Sequence, residues 1–211
     1  MIDHYLVTGA APDRQATRER DREVRNFETA ALPTGAGRVV PEPSALIYQG
    51  KRPSCVGHAC AAVIDAAHGG RRTASGVSIW RDARRRQGRI ERIDEGTRTE
   101  YALEGLQHRG WDHYRAGEEE DLVEAGLGPP DAGDDLGDEL DAHDHRAFGL
   151  EYFRIFDVRA IETAIDRGMG VVISTGTRTP FHRLGRDELA TEEHLGGPNR
   201  GHAMRCVSVW L

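Results

Sequence analysis

The stretch from Cys55 to Gly70 most constrains how this chain can fold. Apolar residues recur in it at steps of three and four positions, and two glycines follow the last of them. This spacing is typical of an amphipathic helix, and glycine is the usual residue just past a helix end. The stretch therefore predicts a helix from about Cys55 to Ala67. We expect its apolar stripe, made of Val56, Ala59, Cys60, Val63, Ile64 and Ala67, to face a core.

Cys55 opens this predicted helix. The free backbone N–H groups and the dipole at a helix N-terminus favour a thiolate, so we expect the thiol pKa of Cys55 to be lowered. Gln49 lies six residues earlier, in a loop that could bring its side-chain amide near the sulfur. His58 is also close, but it sits on the same short element and is better explained as a packed or surface histidine.

His202 supplies the third group of a possible site. It stands in Gly201-His202-Ala203, at the start of a predicted final strand from His202 to Leu211. A cysteine hydrolase needs a thiolate, a histidine that shares its proton, and donors for the oxyanion. Cys55, His202 and Gln49 supply these three functions, in that order. Each residue alone is a weak signal, and their combination with this spacing is a stronger one.

The same residues carry a resemblance to the papain-like cysteine peptidases, particularly their compact bacterial members. Tyr48-Gln49-Gly50 followed by Ser54-Cys55 resembles the family's glutamine and nucleophile block, and Gly201-His202-Ala203 resembles its histidine block. His202 follows Cys55 by 147 residues, within the family's range of about 130–150. The segments from Glu95 to Trp111 and from Val158 to Phe181 are similar to family helices and a buried strand.

The resemblance implies an α+β fold, with a helical half that carries the nucleophile packed against a β-rich half with an incomplete barrel. It implies a peptidase domain over residues 43–211, divided into a helical half (43–117), an acidic loop (118–147) and a β-rich half (148–211), after an N-terminal arm over residues 1–42. In such an enzyme Cys55 attacks the peptide carbonyl, His202 acts as base and then acid, and Gln49 stabilises the oxyanion. The substrate is a peptide or protein, and neither cofactor nor metal is implied.

The sequence departs from the family in two places. The peptide around the nucleophile lacks the family's first cysteine and glycine, which Arg52 and Pro53 replace. In the family, the asparagine and the last strands follow the histidine strand, whereas only nine residues follow His202 here. We therefore expect a truncated gene product, a degenerate homologue, or a fold that a partner completes at its C-terminal edge. A catalytically inactive fold that binds peptides and an acyl transferase with the same thiol chemistry remain as alternatives.

The rest of the chain predicts further elements. A helix is expected over Ser78–Gln87, with Ser78 as cap. Another is expected over Thr97–Arg109, with a capping box formed by Thr97 and Glu100 and with Gly110 as its left-handed stop. A third is expected over Val158–Arg167, with Ile161, Ala164 and Ile165 facing inward. Strands are expected over Leu150–Phe156 and Val171–Ser174.

Charge and composition limit the classes of function. The formal net charge is −7, without a dominant basic face, which argues against nucleic-acid binding. No apolar run has the length of a membrane span, and three cysteines make no disulfide framework, so a cytoplasmic protein is expected. Residues 118–144 are rich in acids and contain no lysine or arginine, which is typical of a solvated loop. His143 and His145 lack a third metal ligand at a convincing spacing.

Overall fold

The computed structural model describes residues 53–88, 96–114, 152, 158–166, 168–178, 190–195 and 200–206. Outside these ranges lie the N-terminal arm, Gln49, the acidic loop with His143 and His145, the predicted strand Leu150–Phe156 apart from Tyr152, and residues 207–211. The proposed boundaries between the parts of the chain also lie outside them. These predictions therefore stay predictions.

Helix α1 spans Cys55–Ala67, as the sequence predicts. It ends where Gly69 and Gly70 adopt φ angles of 75° and 76°. These left-handed conformations are accessible to glycine without steric cost, which explains why the helix stops here. The side-chain carboxylate of Asp65 then holds the returning chain, since its Oδ1 accepts from the N–H and hydroxyl of Thr73 and from the N–H of Ala74.

Helix α2 spans Gly76–Arg86 and begins two residues earlier than predicted. Its N-cap is Ser75, whose hydroxyl accepts from the N–H of Ser78 at 3.0 Å. The prediction that Ser78 is the cap is therefore wrong. The hydroxyl of Ser78 instead donates to the carboxylate of Asp112, on the segment that follows the third helix.

Helix α3 spans Thr99–His108, and its N-cap Arg98 makes no side-chain capping bond. The predicted capping box of Thr97 and Glu100 is wrong, because the N-cap is Arg98, one residue later than that box requires. Thr97 instead donates its hydroxyl hydrogen to Oε1 of Gln87, just past α2. Gly110 has a φ of 89° and ends the helix region in the left-handed conformation, as predicted.

The second half of the described chain contains helix α4, Val158–Asp166, and two strands, β1, Val171–Thr177, and β2, Arg200–Cys206. The strands pair antiparallel, so that Ser174 lies opposite Ala203 and Thr175 lies opposite His202. The predicted strand Val171–Ser174 is thus confirmed, and the predicted last strand begins two residues earlier than expected. Among the described residues, the sheet has these two strands alone.

Two apolar clusters stabilise these elements. The first joins α1, α2 and α3 with Ala203 of β2, so one side of β2 packs on the helices. The second joins α4 with β1 through Ile161, Ala164 and Ile165, the three residues predicted to face inward. Helices α1, α2 and α3 thus pack on β2, and α4 packs on β1, which is an α+β arrangement.

Within the described residues, none of the helices combines the length and the apolar character needed to cross a bilayer.

Candidate active site

Cys55 is the first residue of α1 and is 4% exposed. Helix α1 lies across α2 at very short range, because Gly57 faces the backbone of α2: a Cβ at Gly57 would stand 2.0 Å from the carbonyl oxygen of Gly76. The start of α1, and with it Cys55, is therefore fixed by backbone packing rather than by a flexible loop.

The sulfur of Cys55 lies against strand β2. The backbone N–H groups of Ala203, of Val56 and of Cys55 itself lie close enough to the sulfur to lower its pKa. The N–H of Ala203 belongs to the peptide bond that joins it to His202.

The pKa of the Cys55 thiol is raised, chiefly because burial disfavours the charged thiolate. The three N–H donors act in the opposite direction, and Ala203 makes the largest contribution among them. The sequence prediction of a lowered pKa is therefore wrong in its net direction. The helix N-terminus does favour the thiolate as expected, but burial outweighs it.

Cys60 lies one and a half turns along the same helix and is 2% exposed. Burial, together with the charge of a Cys55 thiolate, raises the pKa of Cys60 to about 12. Cys60 is a buried core residue of the helical cluster, as predicted from its place on the apolar stripe.

His58 packs closely beside the nucleophile position. Its side chain is 6% exposed, and its Nδ1 lies 3.0 Å from the carbonyl oxygen of Ser54. The same carbonyl accepts the backbone N–H of His58 at 3.1 Å. Sequence reasoning gave this histidine little weight. The signal that could have identified it is its four-residue spacing from Ser54, which places its ring beside the first turn of the helix.

The three residues predicted to form the site fall differently in the structure. Cys55 lies at the start of α1, and His202 is half-buried in β2 opposite Thr175. The backbone of Ala203, the residue after His202, lies near the Cys55 sulfur, whereas the pairing of the His202 ring with that sulfur stays a prediction. Gln49 lies outside the described residues, and its position relative to the sulfur stays a prediction. Within the described ranges, no group of three or more His, Cys, Asp or Glu residues is arranged to hold a metal ion.

Comparisons with known proteins give the fold alone. No family model matches the sequence, and no curated protein matches it either. The structure is similar to the crystal structure of xylellain, a cysteine protease from Xylella fastidiosa, with a TM-score of 0.62. The two sequences are 19% identical, and the match covers 99% of this chain and 81% of that chain. The chain thus has the papain-like α+β fold of a cysteine protease.

Proposed function

We propose that the protein is a cysteine peptidase in which Cys55 is the nucleophile, His202 the general base and acid, and Gln49 an oxyanion donor. The observation that carries the proposal is the packing of Cys55 with Ala203 in one buried cluster, where the backbone N–H of Ala203 lies close enough to the sulfur to lower the thiol pKa. It joins the start of α1 to the strand that bears His202, which resembles the family's histidine and follows Cys55 by 147 residues. The fold similarity to a cysteine protease supports the same reading.

The chemistry follows that of thiol hydrolases. The sulfur of Cys55 attacks the peptide carbonyl carbon, and a tetrahedral oxyanion forms. His202 gives its proton to the amine nitrogen as the C–N bond breaks, which leaves a thioester on Cys55. A water molecule then attacks the thioester while His202 takes one of its protons. The C–S bond then breaks, the carboxylic acid product leaves, and Cys55 is again a thiolate paired with the imidazolium of His202.

The raised thiol pKa gives His202 a specific task. Burial disfavours an isolated thiolate, so an adjacent positive charge is needed to hold the sulfur ionised near neutral pH. An imidazolium on His202 would supply that charge, and the N–H groups of Cys55 and Val56 would add to it. The N–H of Cys55 and the side-chain amide of Gln49 would then stabilise the oxyanion of the intermediate.

The test is alkylation of the thiol in a Cys206→Ala background. Cys206 is half-buried and would otherwise react, whereas Cys60 is enclosed and has a pKa of about 12. We expect iodoacetamide to label one site, Cys55, faster than a free thiol near pH 6.5, and His202→Ala to slow this reaction about 100-fold. Hydrolysis of a fluorogenic peptide library should be lost in Cys55→Ala and should fall about 100-fold in Gln49→Ala.

A matched control is His68→Ala. This histidine follows α1 and makes an edge contact with the ring of Trp111, far along the helix from the sulfur. Its replacement should leave both the labelling rate and hydrolysis within about twofold. Labelling of Cys55 no faster than a free thiol, with the same rate in His202→Ala, would contradict the proposal.

A second candidate is a catalytically inactive papain-like fold that binds peptides. The observation that favours it is the 4% exposure of Cys55 together with its raised thiol pKa, since a buried and protonated sulfur is a poor nucleophile. Under this alternative, peptides from the library would bind the wild-type protein and Cys55→Ala with equal affinity, and none would be cleaved.

A further inference from the structure

The ring of His58 holds the peptide bond that precedes the nucleophile position. A carbonyl oxygen can only accept a hydrogen bond, so Nδ1 of His58 must carry the proton and donate to Ser54. The Ser54 carbonyl thus receives two donors from one residue, the ring at 3.0 Å and the backbone N–H at 3.1 Å. The ordinary helical bond alone would leave this first peptide freer to tilt at the frayed end of the helix.

The ring itself is clamped from the other side. It lies against the backbone of Gly76, at the start of α2, so closely that a Cβ there would stand 2.8 Å from Cγ and 2.9 Å from Cδ2 of His58. Only glycine leaves room for the imidazole at this position. The ring therefore has one available orientation, and it transmits the position of α2 to the Ser54 carbonyl.

The other end of that peptide bond is the N–H of Cys55. This N–H lies near the Cys55 sulfur and lowers its pKa, and under the proposed function it is a backbone group that would face the developing oxyanion. Because the peptide unit is planar, fixing its carbonyl fixes the direction of its N–H. A hydrogen bond to the carbonyl also polarises the unit and makes its N–H a better donor.

We infer that His58 is a positioning residue for Cys55, acting through the Ser54–Cys55 peptide to keep the Cys55 N–H directed at the sulfur and at the oxyanion. Its effect on thiol reactivity is independent of the substrate. Its effect on hydrolysis rests on the proposed peptidase function.

Two substitutions at His58 separate hydrogen bonding from packing. In His58→Asn the amide nitrogen takes the place of Nδ1 and can still donate to the Ser54 carbonyl, whereas His58→Leu fills much of the space with no donor. In the Cys206→Ala background, we expect His58→Leu to slow alkylation of Cys55 about tenfold, and His58→Asn to stay within about threefold of the wild-type rate. In His58→Leu, the kcat for peptide hydrolysis should fall, with little change in KM.

Gly76→Ala tests the same role in another way, because it leaves His58 in the sequence but forces its ring out of the observed position. We expect it to slow alkylation about as much as His58→Leu does. Asp65→Asn is the matched control: it weakens a buried hydrogen-bond set at the far end of α1 and should lower Tm while leaving the alkylation rate within about threefold.

The inference is overturned if Cys55 is alkylated at the same rate in His58→Leu and His58→Asn. It is also overturned if Asp65→Asn slows the reaction as much as His58→Leu does, because a loss of stability alone would then explain both effects. A difference between the Leu and Asn variants in a protein that cleaves no peptide would support the positioning role and refute the peptidase function. Equal alkylation rates in the two variants of a protein that does cleave peptides would refute the positioning role and support the peptidase function.

Discussion

The hydroxyl groups of Thr99 and Ser174 lie 3.3 Å apart in the interior, where one residue begins α3 and the other lies in the middle of β1. Thr99 is fully buried and Ser174 is 5% exposed. The pair joins α3 to β1, the strand beside β2, at the position where Ser174 lies opposite Ala203. A hydrogen bond between two buried hydroxyls stabilises only while both partners are present.

A double-mutant cycle tests this pair. Thr99→Val and Ser174→Ala should each lower the free energy of unfolding by about 1–2 kcal/mol, because each leaves one buried hydroxyl without its partner. The double variant should lose less than the sum of the two, by about 1 kcal/mol, in urea unfolding. Strictly additive losses would show that the two hydroxyls do not interact.

Asp82 links α2 to the end of α3. Its carboxylate accepts from Nε of Arg86 at 3.0 Å and from Nη1 of Arg109 at 3.1 Å, and its side chain is 7% exposed. Asp82→Asn should lower the free energy of unfolding by about 2 kcal/mol, because two guanidinium groups lose a charged acceptor. Chemical denaturation measures this. The exposed Glu193→Gln should change stability by less than about 0.5 kcal/mol, and an equal loss there would contradict the account.

Gly57 sets the distance between α1 and α2. A Cβ at this position would lie 2.0 Å from the Gly76 carbonyl oxygen and 2.7 Å from the nitrogen of Trp80. These are backbone atoms, so no side-chain rotation can relieve the clash. Although alanine favours helix, we expect Gly57→Ala to lower the free energy of unfolding by about 3 kcal/mol.

Gly69→Ala is the control for this prediction. It places a Cβ at a left-handed φ of 75° with nothing within 4 Å, so its cost is limited to about 1–2 kcal/mol of backbone strain. Thermal unfolding of both variants gives the comparison. A Gly57→Ala protein as stable as the wild type would mean that the two helices can separate at no cost.

Cys60 makes the fold sensitive to alkali. Its pKa is raised to about 12 in the folded protein, from an ordinary value near 9.0. Between these values the unfolded chain has lost the thiol proton and the folded protein has kept it, so stability falls as pH rises. We expect Cys60 to lower the free energy of unfolding by about 1.4 kcal/mol per pH unit above about pH 9. The Cys60→Ala variant should lack this contribution. Unfolding in urea at pH 8 and pH 10.5 measures the difference, with Cys206→Ala as control.

The helices could be predicted from the sequence because their signals are local. The apolar period from Val56 to Ala67 and the glycines that follow define α1 without reference to the rest of the chain. The same holds for α4, where Ile161, Ala164 and Ile165 were correctly expected to face inward.

The helix caps could not be predicted in the same way. Ser78 and Thr97 both have side chains suited to capping, and both use their hydroxyls elsewhere, on Asp112 and Gln87. These contacts join segments that are distant in sequence, and no local pattern distinguishes Ser75 from Ser78 as a cap. Local propensity gives way to tertiary hydrogen bonding at these positions.

The thiol pKa could not be predicted for a related reason. The helix N-terminus was evident from the sequence, and its N–H groups do act on the sulfur of Cys55. Burial raises the pKa of Cys55 against these N–H groups, and burial depends on how β2 and the neighbouring helices enclose the residue. Likewise, the role of the Ser54 carbonyl as an acceptor for His58 depends on Gly76 being in place.

The contact between Cys55 and Ala203 also bears on synthesis. The ribosome must have released the chain beyond residue 203 before the two residues can meet, so a growing polypeptide that already carries α1 has its thiol but not the strand beside it. Any reactivity that depends on this contact therefore begins only after β2 has been synthesised and has docked onto the helices that precede it in the chain.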